Sequence, residues 1–171
     1  LDSLKLEANT MLAGLACGHN AIETLNLSAN VRLKELYCVD NKLANLDLTN
    51  NTKLKMLHLD RNQLRDISWA NFDKLYSLSL VGNQLSADLL TKMLDALPEA
   101  PETTPEEQAS LKWGVADISE NPGTANANTT KASENGWKVV AKVSTGIQML
   151  RPDDAETYLR YDQVGAMLHA T

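Results

Sequence analysis

Residues 33–51 read LKELYCVDNKLANLDLTNN, with leucines, one cysteine and two asparagines at fixed intervals. Residues 12–30, LAGLACGHNAIETLNLSAN, carry the same placement 21 residues earlier. Leu12, Leu15, Cys17 and Asn20 recur as Leu33, Leu36, Cys38 and Asn41, then as Leu54, Leu57, Leu59 and Asn62, then as Leu75, Leu78, Leu80 and Asn83. A second series runs between them: Leu1, Leu4, Leu6 and Asn9 return as Ile22, Leu25, Leu27 and Asn30, as Leu43, Leu46, Leu48 and Asn51, and in degraded form as Leu64, Ile67, Trp69 and Phe72.

That spacing has a physical reading. Residues two apart on an extended strand point to one side, so each LxL or LxC segment presents an apolar edge that its own turn of chain cannot bury. Stacking such turns buries the leucines in a ribbon, and each asparagine turns inward at a bend to satisfy backbone groups left unpaired between neighbours. The expectation is an α/β leucine-rich-repeat solenoid, its parallel strands stacked in about four 21-residue coils over residues 1–85 and closed by an α+β C-terminal cap.

Cys17 and Cys38 occupy equivalent positions in that expected stack, about one strand spacing of 4.8 Å apart. That distance permits a disulfide, but parallel Cβ directions would strain it, so reduced, buried thiols acting as small hydrophobes are expected, with a disulfide or a metal-binding pair as the alternatives.

After Asn83 the apolar period changes from 2 to 3.6. Leu89, Leu90, Met93, Leu94 and Leu97 mark one helical face, with Ser86 as N-cap and Pro98 beyond the end. Residues 98–108, PEAPETTPEEQ, read as an exposed loop; 111–118, LKWGVADI, as a strand; and Asn121-Pro122-Gly123 as a turn. A short helix near 127–135, a buried Trp137 and a last strand in KVVAKV complete the expected cap over 86–143. Residues 144–171 form a separate tail, in which Pro152 followed by Asp153, Asp154 and Glu156 suits a helix start, with Tyr158, Leu159, Val164, Met167 and Leu168 as its contacts.

The 21-residue unit with cysteine in one leucine column resembles the internalin J-type leucine-rich repeats of bacterial surface proteins, especially those of Bacteroidetes. Residues 121–124, Asn-Pro-Gly-Thr, and 134–137, Glu-Asn-Gly-Trp, resemble the C-terminal cap of such proteins. Leu59 and Leu80 depart from the pattern in the cysteine column, and Phe72 in the asparagine column. The resemblance implies a secreted or cell-surface protein that acts in adhesion or in contact with a host or a neighbouring cell. The chain begins at Leu1 without Met, which reads as a mature or truncated fragment.

The 171 residues carry a net charge of −6 and no dense Lys/Arg cluster, which argues against nucleic-acid and anionic-membrane partners. No apolar run reaches the ~20 residues of a membrane span. His19, His58 and His169 are scattered, and no phosphate loop, HExxH or GxSxG occurs. Cys38 and His58 fall on opposite strand parities and form no dyad, and no cofactor or metal site is expected.

A surface remains. The outward positions of the cysteine-bearing series gather Tyr37, Val39, Met56, His58, Asp60 and Arg61, the aromatic, soft and charged mixture of a protein-contact patch. The outward set of the other series, including Thr24, Asn26, Ser28, Asn45, Asp47, Thr49, Asp66 and Ser68, is small and polar and reads as solvated wall. The expectation is a non-catalytic, monomeric module that binds a protein ligand through Tyr37, Val39, Met56, His58, Asp60 and Arg61. A glycan-binding module and a structural spacer of a larger surface protein are the alternatives.

Overall fold

A computed structural model describes residues 1–69, 71–102, 104 and 113–143, and the backbone of 159–161 and 167–169. The leucine spacing produces short strands at β1 (Gly14–Ala16), β2 (Glu35–Tyr37), β4 (Met56–His58) and β6 (Ser77–Ser79), all parallel. Their register follows the repeat: Leu15 pairs with Leu36, Leu36 with Leu57, and Leu57 with Leu78. The second series pairs only β3 (Asn45–Leu48) with β5 (Asp66–Trp69) among the described residues.

The sheet does not stop where the repeats stop. β7 (Val115–Asp117) pairs with β6, and β8 (Lys138–Val140) pairs with β7, giving a six-stranded parallel sheet in the order β1-β2-β4-β6-β7-β8. This corrects the expected architecture. The protein has a mixed α/β fold built on one six-stranded parallel sheet with two helices, not a leucine-rich-repeat solenoid of about four coils closed by a distinct α+β cap. The physical reason is that β7 and β8 supply the same ladder hydrogen bonds as a repeat strand. The step from Ser77 to Val115, much longer than 21 residues, has room for a helix. That helix, α1 (Ala87–Asp95), starts where Ser86 Oγ accepts from Leu89 N at 3.3 Å. It buries Leu90, Met93 and Leu94. Its Met93 and the following Leu97 face Phe72, Leu75 and Leu78 across a gap of only 10 Å³.

Two leucine columns fill the interior. Leu36, Leu57 and Leu78 come from the six-stranded sheet, Leu46, Leu48 and Ile67 from the pair β3–β5, and all are buried. The asparagines bind the layers. Asn62 Nδ2 donates to Cys38 O at 2.8 Å and Leu59 O at 3.0 Å, while its Oδ1 accepts from Leu43 N at 3.0 Å. Asn41 and Asn83 make the same three kinds of bond. Asn121, in the segment read as cap, continues them, donating to Leu80 O at 2.9 Å and accepting from Leu85 N at 3.1 Å. The other column is less demanding. Asn51 Nδ2 donates to Leu27 O and Asn30 O, and the next position in that column is the buried Phe72.

The short helix, the glycine that ends it and the buried Trp137 fall where the sequence places them. A 3₁₀ turn at Thr124–Asn126 leads to α2 (Thr130–Glu134). Gly136 follows at φ +84°, a left-handed position open to glycine. Trp137 is buried and its Nε1 donates to Pro98 O at 2.7 Å. The loop read at 98–108 and the start of the 111–118 strand fall largely outside the described residues. In the tail, β9 (Leu159–Tyr161) and β10 (Met167–His169) form an antiparallel pair, which replaces the expected helix over that stretch. The start of that helix at Pro152 lies outside the described residues.

Candidate functional site: the face of the six-stranded sheet

Alternation along β2 and β4 buries the central Leu36 and Leu57 and turns the two flanking side chains to the opposite face. From β2 and β4 these are Glu35, Tyr37, Met56 and His58. Registration of Tyr37 with His58 and of Glu35 with Met56 brings them into contact across the rungs. Tyr37 and His58 meet edge to face, ring centroids 5.0 Å apart. Tyr37 Oη donates to Met56 Sδ at 3.0 Å, and His58 Nε2 lies 2.8 Å from Ser77 Oγ. Tyr37, Met56 and His58 are half-buried, so each ring or thioether is held by neighbours while part of it faces solvent. Burial, then the Glu35 carboxylate, raises the Tyr37 phenol above its ordinary pKa, so it remains a donor at neutral pH.

The other three expected residues play different parts. Val39 is half-buried, and its carbonyl accepts from His19 N at 2.8 Å. Asp60 Oδ1 accepts from Ser79 Oγ at 2.5 Å and from Val81 N at 3.0 Å, which fixes the carboxylate against β6. Arg61 stands at the corner beyond β4, at φ 51°, and not on the strand face. His19, Asp40, Arg61, Gly82 and Glu120 all take this left-handed corner conformation. Three of them meet in a column beside the face: His19 Nδ1 is 2.9 Å from Asp40, and the Arg61 guanidinium binds the Asp40 carboxylate through Nε and Nη2. Tyr37, Val39, Met56, His58 and Asp60 therefore share one surface, with Arg61 at its margin.

That guanidinium holds the Asp40 carboxyl below the usual carboxylate range, partly opposed by desolvation and aided by the Arg61 and His19 charges. A carboxylate with a depressed folded-state pKa contributes stability that is complete above the unfolded value, ~3.9, and is lost as pH falls through the lower folded value. Asp40→Asn is therefore expected to lower the thermal midpoint slightly near neutral pH and to leave it unchanged in strong acid. An equal deficit at both ends of a pH series of melting curves would contradict the ion-pair assignment. Because the pair is exposed, the neutral-pH deficit also shrinks with added salt.

Two further features enlarge the face. Tyr76 and Trp113 pack with ring centroids 5.2 Å apart at an interplanar angle of 59°, at the ends where β6 and β7 begin. Asp117 from β7 pairs with Ser79 and extends the face past the last repeat. Trp113 and Asp117 escape a reading based on the 21-residue period because they follow the long insertion; the signal that finds them is the placement of Trp113, Ala116, Ile118 and Asn121, which matches Leu75, Leu78, Leu80 and Asn83.

Cys38 is fully buried on the inner side, where its sulfur neighbours are Cys17 and Asn41, whereas His58 stands on the outer face. Ser77, beside His58, is 1% exposed, so its hydroxyl does not open onto a substrate-sized space. A groove of about 360 Å³, lined by Ser3, Glu7, Glu23, Thr24, Asn45 and Asp47 among others, lies along the polar wall of the second series and away from the strand face. All eight wall residues anticipated from sequence are exposed. Asp47 is kept below the usual carboxylate range by accepting from Thr49 N and Oγ1. Among the described residues no group of three or more His, Cys, Asp or Glu side chains is placed to hold a metal ion. No helix among them is long and apolar enough to cross a membrane. No protein-family model and no curated protein matches this chain.

Proposed function

We propose that the outer face of the six-stranded sheet is a non-catalytic protein-recognition surface of a secreted or cell-surface protein, acting in adhesion or in contact with a host or neighbouring cell. The observation that carries this reading is the interlocked set Tyr37, Met56 and His58, joined by the Tyr37–Met56 hydrogen bond and the edge-to-face ring contact. An aromatic, a thioether and an imidazole held in place before binding lose little rotamer freedom when a partner covers them. Tyrosine and methionine are also among the side-chain types enriched at the cores of interfaces. Val39, Asp60 and Arg61 would form the rim, setting orientation more than affinity. The extracellular setting rests on the resemblance of the Cys/Leu units, and of residues 121–124 and 134–137, to internalin J-type surface proteins.

The test is capture from extracellular and bacterial-surface extracts by the native chain beside Tyr37→Ala/Met56→Ala/His58→Ala, with circular dichroism to verify the fold. The triple variant is expected to weaken binding of a captured protein by roughly 30-fold or more. Undiminished capture would remove the patch from the account, and no capture by either chain would favour a structural spacer.

A glycan ligand is the second reading, favoured by the Tyr76–Trp113 pair, since aromatic faces stack on sugar rings. Binding on a glycan array that disappears in Trp113→Ala but survives the Tyr37/Met56/His58 variant would select it.

A further inference from the structure

Cys17 and Cys38, one sequence period apart, lie on the inner side of neighbouring parallel segments, with Cys17 N donating to Tyr37 O at 2.9 Å. Both are free thiols, and their sulfurs are 3.0 Å apart. Adjacent strands put their Cα atoms at about 4.8 Å, within the ~4.4–6.8 Å range that a disulfide spans. Small side-chain rotations therefore close the sulfur–sulfur distance to a bond of about 2.05 Å without separating the strands. The two sulfurs already turn toward each other, so the staple needs no change in which way either side chain faces.

The surroundings distinguish the two. Cys38 is 0% exposed and its sulfur lies 3.6 Å from Asn41 Nδ2, whereas Cys17 is 7% exposed. Cys17 follows β1, one of the two edge strands of the sheet, and the chain that precedes that strand is loosely covered, with Leu4, Leu6 and Leu12 only partly buried and Leu1 and Met11 exposed. The next position in the column, Leu59, is a leucine, so the pair has no third thiol to exchange with.

We propose that Cys17 and Cys38 are a thiol–disulfide exchange site that reacts with a disulfide-bearing oxidant and closes an internal disulfide stapling the outermost strand to the sheet. In the first step the Cys17 sulfur, as thiolate, attacks one sulfur of the oxidant; the Cys17–oxidant bond forms, the oxidant's S–S bond breaks, and one thiolate leaves. In the second, Cys38 loses its proton and attacks the Cys17 sulfur, releasing the other half as a second thiolate. Each thiolate takes up one of the two protons given up by the cysteines, so two protein thiols are oxidised and one disulfide is reduced to two thiols. Cys17, at the sheet edge and 7% exposed, is the attacking group, and the fully buried Cys38, whose thiol burial pushes up, is the resolving group. Local fraying of β1 at the edge of the sheet admits the oxidant.

The test uses the full chain and oxidised glutathione as the probe, followed by acid quench, denaturation, alkylation with N-ethylmaleimide and intact mass. The reduced chain is expected to take two maleimides. The treated chain is expected to take none, to have lost two hydrogens, to remain monomeric, and to melt about 5 °C higher because the staple restricts the unfolded chain. Cys38→Ala should stop at a glutathione adduct on Cys17, and Cys17→Ala should gain no adduct. A wild-type chain that keeps both thiols alkylatable, collects glutathione without an internal link, or links between chains overturns the proposal. These readouts on the unmutated protein stand even if a variant folds poorly.

Discussion

Gly123→Ala is expected to destabilise the protein by about 4 kcal/mol or more, enough to abolish cooperative folding of a marginal domain. A Cβ at this position would sit 2.1 Å from Ala87 N, 2.2 Å from Ser86 C and 2.7 Å from Ala87 Cα. All three are backbone atoms at the start of α1, so no side-chain rotation relieves the overlap. Gly123 has an ordinary φ of −84°, which makes the requirement one of space and not of backbone conformation. Its N–H donates to Leu85 O at 3.0 Å, so displacing it also breaks the tie between the 121–124 turn and the segment that enters α1. Gly14→Ala is the control: its added Cβ would meet Glu35 atoms no closer than 3.9 Å. Chemical denaturation should separate the two variants widely. Equal midpoints would mean that the turn and the helix do not pack as described.

The second large effect is expected at Asn62. Replacing it with alanine removes the amide acceptor of Leu43 N and takes from Cys38 O and Leu59 O the donor they share with Asn41 and Asn83, in a place that is 5% exposed. An unsatisfied buried group of this kind costs ~1–3 kcal/mol and each lost hydrogen bond about 1 kcal/mol, so a loss of about 2 kcal/mol or more is expected. The outermost member of the column provides the comparison. Asn20 is half-buried, and its Oδ1 accepts from the exposed Leu1 ammonium, so Asn20→Ala should cost far less. Urea unfolding of both variants checks the order; a smaller loss at Asn62 than at Asn20 would show that the column does not bind the layers together.

The residues explain how far the sequence could be read. The period of Leu, Cys and Asn places β1, β2, β4 and β6 in register because a side chain two positions away must share a face, and that rule survives any detail of packing. Ser86 announces α1 because a hydroxyl beside an apolar 3.6 period has one common use. The extent of the sheet was not legible in the same way. Trp113 and Ala116 stand where leucines would, and the long step from Ser77 to Val115 hides the match, so β7 and β8 read as a separate cap although they extend the same ladder. In the tail, an acidic run after Pro152 reads as a helix start and lies outside the described residues, whereas the described backbone at 159–161 and 167–169 pairs as strands, a long-range choice that local composition does not report. At the candidate site, parity identified Tyr37, Met56 and His58 as neighbours. It misplaced Arg61, because the left-handed corner at φ 51° turns that residue off the strand and toward Asp40.

The most direct measurement compares three chains for capture of extracellular and surface proteins: the native protein, Tyr37→Ala/Met56→Ala/His58→Ala on the strand face, and Thr24→Ala/Asn45→Ala/Asp66→Ala on the exposed polar wall. A recognition surface on the six-stranded face predicts a protein held by the native chain and by the wall variant and lost by the strand-face variant. Retention by the strand-face variant, or loss confined to the wall variant, would contradict it.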